Sequence, residues 1–370
     1  MKNFYSFDEL TIPLEVKALF GGLYMVIVVY AVIKTLFAAP RNKRYVGASG
    51  FVALYFTVYA MFYCVNTDYF SYREWMNFPM FMDWNREQVY FFIIIFCRLI
   101  PFDYPFELFR LIVWGGGLLL VIFLARMYRS LLRPGLVILF LFVFYSGTYS
   151  YARGSLAMAV YFLGVGIFLW GEGHLSKVSG LALAISSYFF HHEMIIGIGA
   201  LLCLMLPLEK KKSLPLVVAM LGVMMLGLLF INSNLGLMQS VFGADEIAEK
   251  MKTYNEREQG IFRVSTALSY LNFFYPSFLI MGFFYRCKRL PKAIAGLFRI
   301  TLVLLLATIA FFVVSGSRST YTYRVMYITI IPMSILIAYC YQRGAFNKFL
   351  FIIMIMFAAV TNCMRLINAM

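Results

Sequence analysis

Two polar clusters interrupt a sequence that is otherwise strongly apolar. Arg153 lies near the start of the run "YSYARGSLAMAVYFLGVGIFLW", and His191, His192 and Glu193 divide another run at "YFFHHEMIIG". A guanidinium group pairs with phosphate oxygens and stays charged at any pH. An imidazole whose pKa has the ordinary value of about 6.5 can accept a proton from a hydroxyl at neutral pH. These residue types suit a reaction in which a phosphate-bearing group leaves and a hydroxyl attacks.

Other polar residues that could join this chemistry lie far away along the chain. Arg318 and Arg324 flank the stretch "SRSTYTYR", which also contains Tyr323. An earlier stretch contributes four further candidates: Asp68, Tyr72, Arg73 and Glu87. Two or three arginines together with a histidine are a suitable set for recognising a diphosphate. The sequence therefore predicts one polar site assembled from four segments.

The composition places these residues in a membrane protein. Of the 370 residues, 62% are hydrophobic and 13% are charged, and the mean hydropathy is +0.81. A water-soluble globular protein does not reach such values. The net charge of +15 does not indicate nucleic-acid binding, because lysine and arginine collect in the short loops of one membrane face. The six cysteines lack the spacing of a disulfide framework or a zinc site.

Apolar stretches of about 20 residues predict an all-α polytopic membrane protein with about twelve transmembrane helices. A shorter apolar segment, 88–101, lies between stretches rich in carboxylates, and we expect it to be a re-entrant or interfacial helix. The predicted crossings are 18–39, 46–66, 106–127, 134–150, 153–171, 175–190, 193–207, 214–232, 264–285, 293–314, 325–342 and 346–366.

The distribution of charge orients these helices. The loops assigned to the inside are rich in lysine and arginine and contain only two acids, Glu172 and Glu209, as the positive-inside rule requires. Both termini then face outward, and 67–105 and 233–263 become long outward loops. The spacing of apolar residues near 244–258 predicts an amphipathic helix on the outer membrane surface. With no fixed repeat, residues 1–370 are expected to form a single integral membrane domain.

This topology places all the candidate residues at the outward ends of helices. A charge at the bilayer centre costs about 2.5–3.5 kcal/mol on insertion scales, so such ends are where charges belong. Each residue also has a simpler interpretation. Arg153 could be an interfacial arginine that reaches the lipid head groups, and the histidines could be a polar break between two helices. The other arginines and acids could be ordinary loop charges, and only their convergence favours a site.

The same sequence gives no indication of a metal or a nucleotide cofactor. The third histidine, His174, lies in an inward loop, so the three histidines do not form a zinc triad. There is no Walker motif and no glycine-rich turn between a strand and a helix. We therefore expect neither a metal nor a cofactor.

The run "YARGSLAMAVYFLGVGIFLWGEGHLSKVSGLALAISSYFFHHEMIIGI" resembles the central signature of the EpsG and Wzy polysaccharide polymerases. In that signature an arginine opens one span, a short inward loop follows, and the next span ends in Phe-His. The earlier stretch "TDYFSYREW" resembles the family's first outward loop, with an aspartate and a tyrosine four residues apart. The resemblance covers most of the chain from about residue 20 to residue 340.

The resemblance implies a GT-C-like, metal-independent, inverting glycosyltransferase in the inner membrane of a bacterium. Its active face would be periplasmic. It would join undecaprenyl-diphosphate-linked oligosaccharide repeat units of an O-antigen, capsule or exopolysaccharide, with a chain-length regulator as a further partner and no nucleic acid. Arg153 matches the family's arginine and His191 its histidine. Arg318 and Arg324 would help to bind diphosphate, and Asp68 and Tyr72 would hold sugar hydroxyls.

Two departures from the family pattern leave alternatives open. Many relatives carry a second arginine shortly before the Asp-Tyr loop, where this chain has "MFYCVNTDY". Many also carry a serine two residues after the histidine, where this chain has Glu193. A transporter or flippase of lipid-linked sugars is the main non-enzyme alternative, although the spans show few central charges and no matching halves. An O-antigen ligase or another lipid-sugar glycosyltransferase could use the same residues.

Overall fold

A computed structural model describes 12–37, 55, 69–79, 88–141, 143, 152–233, 264–287, 289–315, 320–345 and 347–368. Within these ranges all the regular structure is helical, which confirms the predicted all-α class. The predicted helix near 244–258 lies outside them, as do Asp68, Glu87 and Arg318. Of Arg153, the backbone is described and the side chain is not.

Fourteen α-helices in the described ranges carry the fold, and most begin and end within a few residues of the predicted crossings. They are α1 Leu14–Phe37, α2 Tyr69–Asn77, α3 Gln88–Leu99, α4 Pro105–Arg110, α5 Gly116–Met127, α6 Pro134–Phe140, α7 Ala152–Trp170, α8 His174–Phe190, α9 Ile195–Leu201, α10 Leu214–Ser233, α11 Val264–Phe284, α12 Lys292–Ser315, α13 Thr320–Gln342 and α14 Lys348–Asn368. A π-helical turn, Leu111–Gly115, joins α4 to α5.

The chain is a multi-pass membrane protein. Five helical stretches of the described part are long and apolar enough to cross a bilayer: Leu14–Ile33, Pro105–Ser130, Lys211–Phe230, Lys292–Ser315 and Thr322–Gln342. The count of twelve crossings and the GT-C likeness stay predictions.

Helix α3 has 12 residues, which at about 1.5 Å per residue is well short of the hydrocarbon layer of about 30 Å. Its buried residues, Tyr90, Ile94 and Cys97, follow the spacing of one helical face. Phe92 and Phe96 on the other side are more than half exposed. This helix therefore packs one face on the protein, and its predicted re-entrant or interfacial position stays a prediction.

The backbone contacts cluster in two units, residues 1–195 with 337–370 and residues 196–336. In the first unit, small residues allow the helices to approach closely, as is common in membranes. Gly117 of α5 lies against the backbone of Leu156, and Gly166 of α7 lies against Leu124. Helices α5 and α7 therefore run in the same direction. The single predicted domain stays a prediction.

In the second unit, aromatic rings join α11 to its neighbours. Phe284 at the end of α11 stacks on Phe298 of α12, with ring centroids 4.5 Å apart. At the other end of α11, the ring of Tyr270 lies 4.9 Å from that of Phe312. Helix α12 is the core of this unit, since nearly all its residues from Ala293 to Ala310 are buried.

Candidate active site

Helices α7 and α8 form an antiparallel pair that carries the two central candidates, Arg153 and His191. A methyl group on Gly164 would lie 2.4 Å from the backbone nitrogen of Ala184, and one on Gly180 would lie 2.5 Å from that of Phe168. Only glycine fits at such a crossing. The backbones are therefore in direct contact at the middle of the pair.

This crossing sets which residues share an end of the pair. From the crossing at Gly164 and Gly180, equal numbers of residues can be counted outward along the two antiparallel helices. This count places the backbone of Arg153 level with residues 191–193. Helix α7 also contacts the turn formed by His192–Met194. The structure thus brings the start of α7 and the histidine turn together, although they are almost forty positions apart in sequence.

The polar sequence at the end of α8 forms a sharp break in the helix. The backbone nitrogen of His191 still donates to the carbonyl of Ser187, at 3.1 Å, but the backbone of His191 itself is extended, with φ −161° and ψ 120°. A single 3-10 turn follows, His192–Met194. The break takes His191 out of the helical conformation, so its side chain does not continue the spiral of α8.

His191 and Glu193 form a close pair within this turn. The Nε2 atom of His191 lies 3.1 Å from Oε2 of Glu193, and the two side chains are 13% and 17% exposed. When the imidazole is neutral and donates Nε2–H to the carboxylate, Nδ1 carries the lone pair. The carboxylate also stabilises the imidazolium that forms when Nδ1 takes up a proton. The pair has the geometry of a general base with its orienting acid.

His192 occupies a different environment. Its ring stacks on the ring of Tyr188, with centroids 4.6 Å apart and planes inclined by 22°. Met194, at the end of the turn, is fully buried. These two contacts anchor the turn on both sides of Glu193 and so position the His191 and Glu193 pair.

The segment predicted as the first outward loop supplies a second group of residues in the same unit. Tyr72 on α2 is 1% exposed, and its ring packs against Trp75, Phe109 and Trp114. Arg73 beside it is partly buried. Gly117 lies against Leu156, and α5 and α7 run in the same direction. Trp114, about one turn before Gly117, is therefore level with the start of α7. Tyr72 thus belongs to the same region as the start of α7.

Arg110 is a candidate that the sequence analysis did not select. It is 3% exposed, and its guanidinium carbon lies 5.7 Å and 6.0 Å from the ring centroids of Phe106 and Trp114. Arginine stacked on aromatic rings is held rigidly by cation–π attraction. The sequence does contain a signal for Arg110, because this residue interrupts an apolar run. Its position near a predicted helix end, however, made it resemble an ordinary interfacial residue.

Two candidates lie in the second unit. Tyr323 and Arg324 belong to the first turns of α13. The ring of Tyr323 lies 5.2 Å from that of Tyr270 and 6.4 Å from that of Tyr327, and Arg324 is partly buried. The structure places these residues at one helix end, next to an aromatic cluster.

The described ranges contain no group of three His, Cys, Asp or Glu residues arranged to hold a metal ion. The proposed independence of metals stays a prediction. Of the groups that the structure assembles, the pair of His191 and Glu193 has a geometry suited to proton transfer, and Arg110 is a buried positive charge beside aromatic rings.

Comparison with known proteins identifies the family of the chain. Neither the curated proteins nor the solved structures include a match to the chain. The model of the EpsG family matches residues 48–369, a range that contains every candidate residue named above and all the described helices except α1. Because this match covers most of the chain, the protein belongs to the EpsG family.

Proposed function

We propose that this protein is a polysaccharide polymerase, a glycosyltransferase that joins lipid-diphosphate-linked oligosaccharide repeat units. Membership of the EpsG family supports this function. The observation that carries the assignment of residues is the α7 and α8 pair, which places the backbone of Arg153 level with the His191 and Glu193 pair. The donor is an undecaprenyl-diphosphate-linked glycan, and the reaction takes place at the outer face of the bacterial inner membrane.

In the proposed reaction a hydroxyl of the acceptor sugar attacks the anomeric carbon of the donor sugar. The bond between that carbon and the diphosphate oxygen breaks, with inversion at the carbon. The hydroxyl proton passes to Nδ1 of His191, whose Nε2–H is held by Glu193. The released diphosphate keeps the bonding electrons and remains on its lipid. General-base catalysis of this kind contributes about 100- to 10,000-fold in rate.

Charge develops on the leaving diphosphate, and arginine is suited to stabilise it. Arg153 is the proposed main contact, with Arg318 and Arg324 as helpers. One such donor contributes about 100- to 1,000-fold when it binds the transition state more strongly than the ground state. Arg110 adds a further guanidinium at the Tyr72 end of the first unit, which fits the absence of an arginine before "TDYFSYREW". Asp68, Tyr72, Arg73, Glu87 and Tyr323 are the proposed contacts to sugar.

The experiment that tests this function uses the purified chain in lipid and a lipid-diphosphate-linked repeat unit. A ladder of products differing by one repeat unit indicates a polymerase. A single transfer indicates a ligase, and movement of the substrate across the bilayer without a new glycosidic bond indicates a flippase. Either of the last two results would contradict the proposal.

Two matched variants make the test specific for the site. His191→Ala should slow formation of the ladder about 100-fold or more, whereas His174→Ala should preserve it, because His174 is exposed at the opposite end of α8. Both variants should insert into the membrane and purify in equal yield. An unchanged ladder from His191→Ala would remove His191 from the mechanism.

A further inference from the structure

The second unit contains a cavity of about 420 Å³, and its basic residues belong to loops that the charge distribution assigns to the inside. Two loops that are far apart in sequence form its wall. The loop before α10 contributes Glu209, Lys210 and Lys211, and the loop after α11 contributes Tyr285 and Arg286. Three basic side chains therefore line one open cavity.

The one acid in this wall is already neutralised. Arg299, on the second turn of α12, donates from Nε to Oε2 of Glu209 at 2.7 Å and from Nη2 to Oε1 at 2.8 Å. Nη1 donates to the carbonyl of Leu204. A two-pronged pair of this kind is strong and geometrically fixed. Both carboxylate oxygens of Glu209 are thus paired with Arg299. The positive charges of Lys210, Lys211 and Arg286 can therefore interact with a ligand.

The cavity wall also contains an unsatisfied hydroxyl group. Oη of Tyr285 is buried and has no hydrogen-bond partner among the described residues. Leaving such a group unpaired is unfavourable, and native proteins usually supply a partner. An acceptor oxygen on a bound ligand would supply it. Basic loops alone follow from the positive-inside rule, but a cavity of this size with a buried, unpaired donor in its wall does not.

The apolar surface of α10 beside the cavity indicates which class of anion binds there. Helix α10 begins two residues beyond Lys212 and is the least buried of the five candidate membrane spans in the described part of the chain. Leu214, Leu216 and Val218 in its first turns are 49%, 42% and 64% exposed. A lipid could therefore lay its acyl chains along α10 while its phosphate enters the basic cavity. Basic pockets on the cytoplasmic side of membrane proteins bind anionic head groups in this way.

We propose that this cavity binds the phosphate of an anionic phospholipid, with Lys210, Lys211 and Arg286 as its charged contacts and Tyr285 as a hydroxyl donor. The site is separate from the residues proposed for polymerisation and does not depend on that function. Its occupancy would tie the loop before α10 to the loop after α11. The ligand class is a phosphodiester carried by a lipid.

The test measures binding of short-chain phosphatidylglycerol to the purified full chain in a neutral detergent, by native mass spectrometry, with phosphatidylcholine as the neutral comparison. The wild-type chain should bind phosphatidylglycerol at least tenfold more tightly. The double variant K210Q/K211Q should weaken this binding about twentyfold, as expected for two basic residues at a membrane surface. Tyr285→Phe should weaken it about threefold, the effect of one hydrogen bond.

The control is the double variant K212Q/R289Q. It also removes two positive charges, one from each of the two loops that form the cavity wall, but neither Lys212 nor Arg289 lines the cavity. It should change the affinity by less than about twofold. Equal losses of lipid affinity in the two double variants would show that the effect comes from general surface charge, and this result would overturn the proposal. Displacement of the lipid by inorganic phosphate at equal concentration would also overturn it, since a soluble anion would then be the ligand.

Discussion

The imidazole Nε2 of His191 lies 3.1 Å from the carboxylate Oε2 of Glu193 across a single 3-10 turn. This distance places a proton acceptor and an acid in one unit at the end of α8. The start of α7, with Arg153, lies at the same end of the helix pair. Substitutions in this turn are therefore the most direct test of the proposed chemistry within the described structure.

Replacing Glu193 by glutamine should lower the polymerisation rate about 10- to 1,000-fold, because the amide neither fixes the imidazole tautomer nor stabilises the imidazolium. The measurement is the initial rate of repeat-unit transfer by the purified protein. Glu172→Gln is the matched control, since Glu172 is an exposed acid in the turn between α7 and α8. A rate for Glu193→Gln equal to that of the control would exclude Glu193 from catalysis.

His191 and Glu193 should behave as one unit in a double-mutant cycle. If Glu193 acts only through His191, the variant H191A/E193Q should be no slower than His191→Ala alone. The cycle uses the same transfer assay with all three variants. Additive losses would mean that Glu193 has an independent role, such as contact with the substrate.

Arg110→Lys should lower the transfer rate about tenfold, because a lysine keeps the charge but loses the planar stack on Phe106 and Trp114. The structural control is Arg129→Lys, since Arg129 is exposed at the opposite end of the same span. Both variants should retain the wild-type melting temperature to within a few degrees. A normal rate for Arg110→Lys would limit Arg110 to a packing role.

The crossing of α7 and α8 should tolerate no side chain at Gly164. Gly164→Ala puts a methyl 2.4 Å from the nitrogen of Ala184, and overpacking of this kind costs about 1–3 kcal/mol or more. We expect lower thermal stability and loss of activity together. Gly222→Ala on α10 is the control, because a methyl there meets nothing within 4 Å. A Gly164→Ala protein as stable as this control would contradict the close crossing.

The Arg299 and Glu209 pair should make stability depend on pH. Burial raises the pKa of the Glu209 carboxyl, but the hydrogen bonds and charge of Arg299 outweigh burial and hold the pKa below its ordinary value. A lowered pKa means that the stabilisation is present above about pH 5 and is lost as the pH falls through the folded-state pKa.

Glu209→Gln removes this contribution and should lower stability at pH 7 by about 1–3 kcal/mol, since both partners are partly exposed. The melting temperatures of the two proteins are compared from pH 7 to pH 3.5. Their difference should shrink as the pH falls. A difference that stays constant over this range would show that ionisation of Glu209 does not support the fold.

Hydropathy and charge in the sequence were sufficient to predict the class of the fold, most helix boundaries in the described part and the break at His191. The close crossing at Gly164 and Gly180 could not be predicted, because it depends on which helices pair. Beyond the first turn of α12, Arg299 is the one charged residue of that helix. Nothing in the sequence links it to Glu209, which lies in a distant loop. Arg110 was passed over for the same reason, since its aromatic shell forms only in the folded chain.

The most direct test of the central claim is a cryo-electron microscopy map of the protein with a prenyl diphosphate bound. The account predicts that the diphosphate oxygens lie about 2.7–2.9 Å from the Arg153 guanidinium, with the His191 imidazole facing the donor sugar position in the same cavity. A diphosphate bound elsewhere, with the Arg153 side chain turned toward lipid, would contradict the account.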